Sequence, residues 1–538
     1  MILKLLQKLA FDADYRPFSK AILIFLPGIG EIRQLNDLLT GYPAFQRGWR
    51  VHPLHSSFTS EDQQAAFEVP PDGVRKIVLA TNIAETGITI PDVTAVIDTG
   101  KHKEMRFDEK RQMSRLILAF IARANAKQRR GRAGRVQEGI CFHLFTKQRH
   151  DEIMAENQAP EMLRLSLSDL VMRVKICKLG NIEQALSQAL DPPSSRNIRR
   201  AIDALIEVDA LTTHEELTTL GAQLAKLPMD VQLGKLILLG CVFGCLDFAL
   251  TAAATLSSKS PFVNPMHAKK QADTVRLGFK RGDSDLLTVY NAYCAWRKTC
   301  ETPGLSEHQF CNKNFLSPQN LANIEDLKGQ LLSSLIDAGF VTLSANERST
   351  LAKIRPGAAR QRHFVELPDA YRRADDNDTV IHSVVAWSFY PKIVKQEGKG
   401  WRNIANNQSL GLHPTSVNKH NPPSSSADIK LLSFYSIMQS SSRFTNAQET
   451  TPVPEIALVL LAGDAVFHLY AGVIVIDGNR LRFKVRDWKT MLALKTLRGK
   501  MKEVLARVFR APGKELTGRN RAVMEIVRRV LEQRRRGV

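Results

Sequence analysis

Cysteine is scarce in this 538-residue sequence, and its arrangement excludes the common cysteine-based sites. The seven cysteines are odd in number and widely scattered, and they form neither two CxxC pairs nor a group with histidines at metal-binding spacing. We therefore predict reduced, intracellular thiols and no metal site. Cys241 and Cys245 lie one helical turn apart, and buried packing is the expected role of this pair.

Long apolar segments are also rare. The opening stretch MILKLLQKLAFDADYRPFSK predicts no secretory signal, because Asp12, Asp14 and Arg16 interrupt it before any cleavable apolar core forms. The window 236–256 is about long enough to span a bilayer. However, Asp247 stands at its centre, and a charge there is costly in lipid. A buried helix pair is therefore predicted, and no membrane partner.

Acidic residues are in deficit, with 54 against 75 lysines and arginines, so the formal net charge is +21 and the isoelectric point is near 9.7. This excess favours a polyanionic partner such as nucleic acid, without identifying it. The length allows about three to five domains, so several separate cores are expected. The sequence contains no internal repeat, which favours different modules in series.

Two kinds of periodicity divide the first 340 residues. From about 20 to 145, short β-rich runs alternate with amphipathic stretches, as in AILIFLPG, EIRQLNDLL, KIVLATN, AVIDTG and ICFHLF. This alternation predicts a parallel sheet with crossover helices. From about 155 to 340 the pattern is helical, as in LSDLVMRVKICKL and QLGKLILLGCVFGCL, and predicts a mostly helical region.

The remaining sequence predicts a second β-rich module. Residues 341–380 are polar and charged, which favours a linker or insertion. The runs TVIHSVVAW, EIALVLLAG, VFHLYAGVIVI and RLRFKV follow, separated by turn-rich stretches, and predict a small antiparallel β-barrel. The last forty or so residues form a basic helical tail, for which a solvated amphipathic helix is favoured over a direct RNA contact.

The segment QRRGRAGR at 128–135 carries the strongest chemical signal. Arg129, Arg132 and Arg135 are three residues apart, so on a helix they would share one face. A fixed guanidinium array can neutralise charge that develops on the γ-phosphoryl group of a triphosphate. A solvated basic helix is the alternative, but two glycines inside such a helix would be unfavourable.

A second segment, ATNIAETGITI at 80–90, directly follows the buried run KIVL. Ligands bind at the carboxyl ends of strands in open α/β sheets. Thr81 and Asn82 there could hydrogen-bond phosphate oxygens without reading bases. An ordinary polar loop between strand and helix is the alternative for this segment alone.

Together with IFLPG at 24–28, these segments resemble motifs V, VI and IV of superfamily 2 helicases, and the QRxGRAGR spelling is similar to that of the DEAH/DExH-box RNA helicases. The resemblance continues through PEMLR at 160–164, LDPP at 190–193, the run TLGAQLAKLPMD, and GLHPTSVN at 411–418. It implies a multidomain chain in this order: a second α/β RecA-like domain at 1–150, a winged helix at 151–220, an all-α ratchet domain at 221–340, a linker at 341–364, a β-barrel OB-fold at 365–495 and the basic helical tail at 496–538.

The resemblance also implies site residues. Arg132 and Arg135 would contact the γ-phosphate, and Gln128 would position the attacking water. The stretch from Gly87 to Thr89 would couple the nucleotide state to the RNA grip. Many relatives have serine where this chain has Gly87, so the resemblance does not carry over a side-chain phosphate contact at that position. Phe67 would stack on the adenine, with a core phenylalanine as a nearly equal alternative.

RNA contacts are implied for two sets of residues, Thr81 with Asn82 and the OB-fold set His413, Ser416 and Asn418. OB-fold surfaces commonly bind single strands. The alternative for the second set is a turn held by its own proline and asparagine. The implied cofactor is ATP with Mg²⁺, and the implied partner is single-stranded RNA held by its backbone.

Two segments that such an enzyme needs do not occur in these 538 residues, namely a GxxxxGK[ST] phosphate loop and an acidic DExH segment for magnesium. We therefore expect the metal ligands on a first RecA-like domain that this chain lacks, and no ATP hydrolysis by this chain alone. The leading hypothesis is an ATP-dependent helicase that translocates on RNA and unwinds it. A non-enzymatic RNA- or ribosome-binding scaffold is the main alternative, and a DNA helicase or a helicase regulatory subunit is a third.

The spelling TGITIPDV, with FGCLD, KSPF and NAYCAW, looks most similar to large cytoplasmic helicases that act with ribosomes in translation initiation. This finer resemblance implies a cytoplasmic protein, with the nucleus as the alternative, and the ribosome or its small subunit as a candidate partner.

Overall fold

In a computed structural model of the chain, two compact units are present. The described residues are 1–55, 60–86, 89–108, 113–135, 137–263, 265, 268–343, 364, 366–398, 400–419, 430–439 and 445–532. The first unit comprises Met1–Arg106, Arg115–Leu165 and Val263–Ala272, and the second comprises Phe107–Ser114, Ser166–Phe262 and Asp273–Val538.

A five-stranded parallel sheet in the order β2-β3-β1-β4-β7 organises the first unit. A separate two-stranded sheet, β5–β6, follows β4 in the chain and precedes helix α4. The strands are β1 (Ala21–Phe25), β2 (Trp49–Leu54), β3 (Arg75–Ala80), β4 (Ala95–Asp98), β5 (Lys101–Asp108), β6 (Met113–Phe120) and β7 (Ile140–His143). The helices are α1 (Ile2–Phe11), α2 (Ile29–Gly41), α3 (Ser60–Ala65), α4 (Arg123–Arg130) and α5 (Glu161–Arg164).

Both faces of this sheet are buried, which explains the continuous apolar runs of its central strands. Successive side chains of β1 enter different cores, with Ile22 and Ile24 in one and Leu23 and Phe25 in the other. Helices α1 and α2 cover the first face. The predicted parallel sheet is therefore confirmed, and its four predicted strands and the helix EIRQLNDLL lie where the pattern placed them.

The second unit begins with the helical region that the periodicity predicts. An antiparallel bridge between Leu211 and Leu217 closes the loop between α8 and α9. The helices are α6 (Ser168–Ile176), α7 (Ile182–Ser187), α8 (Ser195–Glu207), α9 (Thr219–Leu224), α10 (Val231–Phe243), α11 (Leu246–Ser257), α12 (Lys269–Gly278), α13 (Asp285–Glu301), α14 (Glu307–Lys313) and α15 (Pro318–Asp337).

The predicted buried helix pair is confirmed in α10 and α11. Asp230 caps α10 by accepting hydrogen bonds from two backbone amides, and Gly244 ends it in the left-handed conformation with φ 75°. Asp247, whose charge argued against a bilayer, is buried and pairs with Lys328 Nζ at 2.6 Å. In the described part of the chain, no helix has both the length and the apolar character to cross a membrane.

A mixed seven-stranded sheet, in the order β12-β13-β10-β9-β8-β11-β14, forms the β-rich module, and a three-stranded antiparallel sheet, β15–β17, follows it. The strands are β8 (Ile393–Glu397), β9 (Gly400–Asn403), β10 (Ser409–Leu412), β11 (Leu431–Ser433), β12 (Ser436–Gln439), β13 (Thr445–Gln448), β14 (Thr451–Pro452), β15 (Ala465–His468), β16 (Val473–Ile476) and β17 (Leu481–Lys484). The helices are α16 (Asp378–Phe389), α17 (Glu455–Leu461), α18 (Trp488–Arg510) and α19 (Gly518–Glu532).

Two of the predicted strands are helices, so that part of the prediction is wrong. TVIHSVVAW lies in α16, whose start is fixed by the Asn377 side chain accepting from the amides of Thr379 and Val380. EIALVLL forms α17, directly after Pro454. Most residues of both helices are buried, and a short apolar run buried on all sides has no periodicity to distinguish helix from strand. The predicted linker lies almost entirely outside the described residues, and the predicted domain boundaries stay predictions.

The seven cysteines are all free and differ widely in exposure. Cys177 is exposed, whereas Cys245 and Cys311 are buried and the others are partly buried. Burial raises the pKa of Cys141 and of Cys241 to about 12, and raises that of Cys294 to about 11. In the described residues, no cluster of three or more potential metal ligands occurs.

Candidate active site

The arginine segment begins as a helix and ends as a turn. Helix α4 ends at Arg130, and Gly131 is its C-cap. Arg129 therefore lies on the helix, whereas Arg132 and Arg135 lie in the turn that follows. The expectation that the three arginines share one helical face is wrong, because the helix stops before the second of them.

Arg129 is completely buried and joins several parts of the sheet edge. Its Nε donates to Glu85 Oε2 at 2.9 Å, and its Nη1 donates to Asp98 Oδ1 at 2.9 Å. The guanidinium also lies 4.8 Å from the centre of the Phe25 ring. Asn125, one turn earlier on α4, donates to the other oxygen of Glu85 at 2.5 Å. This residue set, Glu85, Asp98, Asn125 and Arg129, is called the buried clasp below.

The clasp holds the Asp98 carboxylate in the charged form. Burial by itself would raise the pKa of Asp98, but the interaction with His143, whose Nδ1 lies 3.3 Å from Asp98 Oδ2, and the Arg129 charge outweigh it. The pKa of Asp98 is therefore lowered below its ordinary value. A buried arginine held by Glu85 and Asp98 is fixed in place, because breaking a buried ion pair leaves an uncompensated charge.

The turn after α4 brings three of the predicted nucleotide residues together. Thr89, Arg132 and Arg135 line one small pocket, whose apolar wall includes Leu23 and Val93. Arg132 is half-buried, and burial together with the nearby charge of Arg135 lowers its pKa. Arg135 and Thr89 are exposed. Two adjacent cations and a hydroxyl at the end of a parallel sheet form a donor set that suits a phosphate group.

The other predicted residues of the first unit are placed separately. Gln128 is exposed on α4. Thr81 is buried and precedes the short 3-10 turn Asn82–Ala84, in which Asn82 is exposed. Phe67 is half-buried against the core that contains Phe25, as its structural alternative requires. Gly87 lies outside the described residues. The nucleotide and RNA roles of these residues stay predictions.

The GLHPTSVN turn is bound internally to the start of α13. Asp285 accepts hydrogen bonds from the Val417 amide and the Thr450 amide, both at 2.8 Å. Ser416 is buried, and its hydroxyl lies 2.8 Å from Thr450 Oγ1. The Asn418 amide group donates to Thr450 Oγ1 and to a backbone carbonyl, each at 2.9 Å.

His413 differs from these neighbours because its ring is only half-buried, with Nδ1 2.7 Å from Thr415 Oγ1. In this turn, the geometry favours the structural alternative for Ser416 and Asn418, whereas His413 is less buried than Ser416. Their RNA contacts stay predictions.

Sequence reasoning did not identify the residues that assemble the site. Arg129 was grouped with the phosphate arginines, and Glu85, Asp98 and Asp285 received no role. One signal was available for Glu85, since an acidic residue within a loop expected to meet RNA phosphates needs a cationic partner elsewhere in the protein.

Three families match the chain in succession. Residues 3–137 match the helicase conserved C-terminal domain. Residues 230–289 match the helicase associated domain HA2, described as ratchet-like, and residues 381–465 match an oligonucleotide/oligosaccharide-binding fold. The matched order is that of the α/β, helical and β-rich parts described above.

Among curated proteins, the chain is similar to several ATP-dependent helicases. It is 46% identical over 343 residues to ATP-dependent RNA helicase DHX29 of Homo sapiens, covering 63% of this chain and 25% of that protein. It is 41% identical over 391 residues to putative ATP-dependent RNA helicase DHX57 of Mus musculus, covering 70% and 28%. It is 40% identical over 407 residues to ATP-dependent DNA/RNA helicase DHX36 of Bos taurus, covering 74% and 38%. The chain thus spans well under half the length of these relatives.

Proposed function

We propose, from the premise that this chain belongs to the DEAH/DExH-box helicases, that it works in RNA-stimulated ATP hydrolysis coupled to RNA translocation and unwinding. Its own part would be the phosphate-facing arginines and part of the RNA grip. The proposal rests on the buried clasp, which ties the loop after β3 to helix α4, and α4 leads directly into the arginine turn.

The clasp supplies a physical route between the two ligands. Thr81 and Asn82, the proposed RNA contacts, stand three or four residues before Glu85. Arg132 and Arg135, the proposed γ-phosphate contacts, stand three and six residues after Arg129. Because Arg129 and Glu85 are joined directly and buried, a shift of the arginine turn is transmitted to the RNA loop without passing through mobile side chains.

Thr89, Arg132 and Arg135 suit the phosphate end of a nucleoside triphosphate. The pocket holds Thr89, Arg132 and Arg135, so its polar groups are cationic or neutral donors, as a polyphosphate requires. When bound, ATP with Mg²⁺ supplies the transferable phosphoryl group. Arg132 and Arg135 would stabilise negative charge, and Gln128 would orient water. The sequence holds no phosphate loop and no DExH segment, so we propose that these residues alone do not turn over ATP.

The partner proposed for the first unit and the OB-fold is single-stranded RNA. The net charge of +21 supports a polyanion, and Asn82 and His413 are accessible in their respective loops. We further propose a cytoplasmic role on the ribosome or its small subunit, because TGITIPDV, FGCLD, KSPF and NAYCAW resemble segments of the large cytoplasmic helicases that act with ribosomes. Co-sedimentation of the chain with purified small subunits in sucrose gradients tests this last proposal.

The central experiment measures phosphate release with and without single-stranded RNA. The samples are the 538-residue chain and the same chain fused behind the first RecA-like lobe of the human DHX29 relative. We expect no turnover by the chain alone and RNA-stimulated turnover by the fusion. In the fusion, Arg132→Ala/Arg135→Ala should lower kcat by about 10³-fold or more, the effect of losing an arginine finger.

Arg47→Ala is the matched control, because Arg47 is an exposed arginine of the same unit away from the pocket. It should hydrolyse ATP like the parent fusion. Turnover by the chain alone would refute the proposed need for a separate phosphate loop. The scaffold alternative would be supported by two results together. The chain alone would bind RNA in a salt-sensitive way, and the fusion would hydrolyse ATP equally fast with and without the double substitution.

A further inference from the structure

The sheet β15–β17 buries one face and exposes the other, and it lies almost wholly beyond the matched OB-fold range. Its strands pair in antiparallel register, so residues directly opposite one another point to the same side. The inward side belongs to the cores that α16, α17 and α18 share with the seven-stranded sheet, and its residues are Ala465, Phe467, Ile474, Ile476, Leu481 and Phe483.

The outward face consists of two cross-strand rows. One row is Val466, Val475 and Arg482, and the other is His468, Val473 and Lys484. Each row therefore has an apolar centre and a cation on β17. The residues on β15 and β17 are exposed, whereas the two central valines are partly covered by their neighbours.

Two exposed aromatic rings stand at one end of this face. Tyr470 lies in the turn between β15 and β16 and is fully exposed, and Trp488 begins α18 with 60% of its surface exposed. The Val485 amide donates to the Gly472 carbonyl at 2.8 Å, which brings the end of that turn next to the junction of β17 and α18. Large aromatic side chains left in water at one place are unusual unless they bind something.

Cations outnumber carboxylates on this face. Arg482, Lys484, Arg486 and Lys489 are exposed, and among the described residues no carboxylate lies within ion-pair distance of any of them. Asp487, the acidic residue in their midst, instead caps α18 by accepting from the Thr490 amide at 2.7 Å and from its hydroxyl at 2.6 Å.

The other nearby acidic groups lie at the far end of the hairpin. Asp477 accepts from the Asp464 amide at 2.6 Å, at the end of the β15–β16 hairpin opposite Tyr470. The end that carries the aromatic rings therefore presents four cations and one carboxylate, Asp487, both of whose oxygens accept hydrogen bonds from Thr490. Nucleobases stack on exposed aromatic rings while phosphates follow a neighbouring cationic track, and this pairing is typical of surfaces that bind single strands without sequence preference.

We propose that the outward face of β15–β17, with Tyr470 and Trp488, is an additional binding surface for single-stranded RNA. Tyr470 and Trp488 stack bases, and Arg482, Lys484, Arg486 and Lys489 contact phosphates. This surface rests on the proposed function for its ligand class, but not for its location, since none of its residues belongs to the candidate active site or the GLHPTSVN turn.

The test measures binding of a fluorescein-labelled oligouridine RNA to the whole chain by anisotropy over a salt series. Arg482→Ala/Lys484→Ala should reduce the slope of log Kd against log salt by about 1.4, which is about 0.7 for each phosphate contact to a single strand. Tyr470→Ala and Trp488→Ala should each weaken binding about tenfold at fixed salt, the scale of a lost base stack. Trp488→Phe should retain most of the affinity.

Lys226→Ala/Lys313→Ala is the matched control, because it removes two exposed lysines of the same unit elsewhere on the surface. It should leave the salt slope nearly unchanged. If all the face variants bind the RNA with the affinity and salt slope of the wild type, the proposal for this surface is wrong and the proposed function still stands. A wild-type chain with no RNA affinity overturns both. If the face variants instead dissociate a dimer in sedimentation velocity at unchanged RNA affinity, the face is a self-association surface and the proposal is wrong.

Discussion

Arg129 donates a 2.9 Å hydrogen bond from Nε to Oε2 of Glu85, 44 residues earlier in the chain, and both side chains are buried. This contact joins the loop after β3 to the helix that precedes the phosphate-facing arginines. Arg129 is therefore a positioning residue. Its guanidinium contacts protein groups, and it holds the helix that leads into Arg132 and Arg135.

Replacing Arg129 tests this arrangement. Arg129→Ala leaves Glu85 and Asp98 buried without their cation, so the first unit should lose about 3–5 kcal/mol of unfolding free energy, the usual cost of breaking a buried ion pair. Circular dichroism during urea unfolding measures the loss. Arg130→Ala, on the exposed side of the same helix, is the control and should change stability by less than about 0.5 kcal/mol. Equal stabilities for the two variants would show that the clasp is not what holds the turn.

A pH-dependent stability is expected from Asp375, whose Oδ1 accepts from the Phe248 amide at 3.1 Å at the start of α11. Burial, together with the nearby charge of Asp247, raises the pKa of Asp375 from 3.8 to about 8. The folded protein therefore binds a proton that the unfolded chain releases. This contribution to stability is complete below about pH 4 and is lost as the pH rises through about 8, at up to about 1.4 kcal/mol per pH unit.

Asp375→Asn removes that titration while keeping the shape of the side chain. Relative to wild type, the variant should gain stability steadily between pH 5 and pH 8, a direction that follows from the raised pKa. Thermal unfolding of both proteins at pH 5, 6.5 and 8 measures the difference. Parallel curves over this range would mean that Asp375 is ionised in the folded protein throughout.

Separate outcomes are expected for Ser416 and His413. Ser416→Ala removes a buried hydroxyl that bonds Thr450, so it should cost about 1–3 kcal/mol of unfolding free energy and leave the RNA Kd of the folded protein within about twofold. His413→Ala should weaken RNA binding and change the free energy of unfolding little, because His413 is only half-buried. Unfolding curves and RNA anisotropy on both variants decide the question. Weakened RNA binding by Ser416→Ala at unchanged stability would restore the predicted RNA contact.

The sequence was most informative where local pattern and burial agree. Runs such as KIVL and AVID are buried on both faces of the parallel sheet, and each ends at a polar loop, so both their strand character and the site edge were predictable. The helical region was predictable for the same reason, since α8 and α15 each bury one face. The strands β2, β5 and β6 carry mixed polar and apolar residues and were not identified.

The remainder depends on contacts that are distant in sequence. Nothing local distinguishes Arg129 from Arg132, and only the presence of Glu85 and Asp98, 44 and 31 residues away, makes burial of the first arginine favourable. Likewise, Ser416 is turned inward by Thr450 and by the start of α13. The right residue types for phosphate chemistry were therefore predictable, but not which of them reach a ligand.

The uneven exposure of the seven cysteines makes the chain suitable for selective chemical labelling. Cys177 follows α6 and is exposed, whereas the partly buried Cys141 and Cys241 and the buried Cys245 hold their protons because burial raises the pKa of each thiol. Only the thiolate reacts with a maleimide, so a dye added at neutral pH attaches preferentially to Cys177. A fluorophore can thus be placed on the helical region of the wild-type chain without first removing the other cysteines.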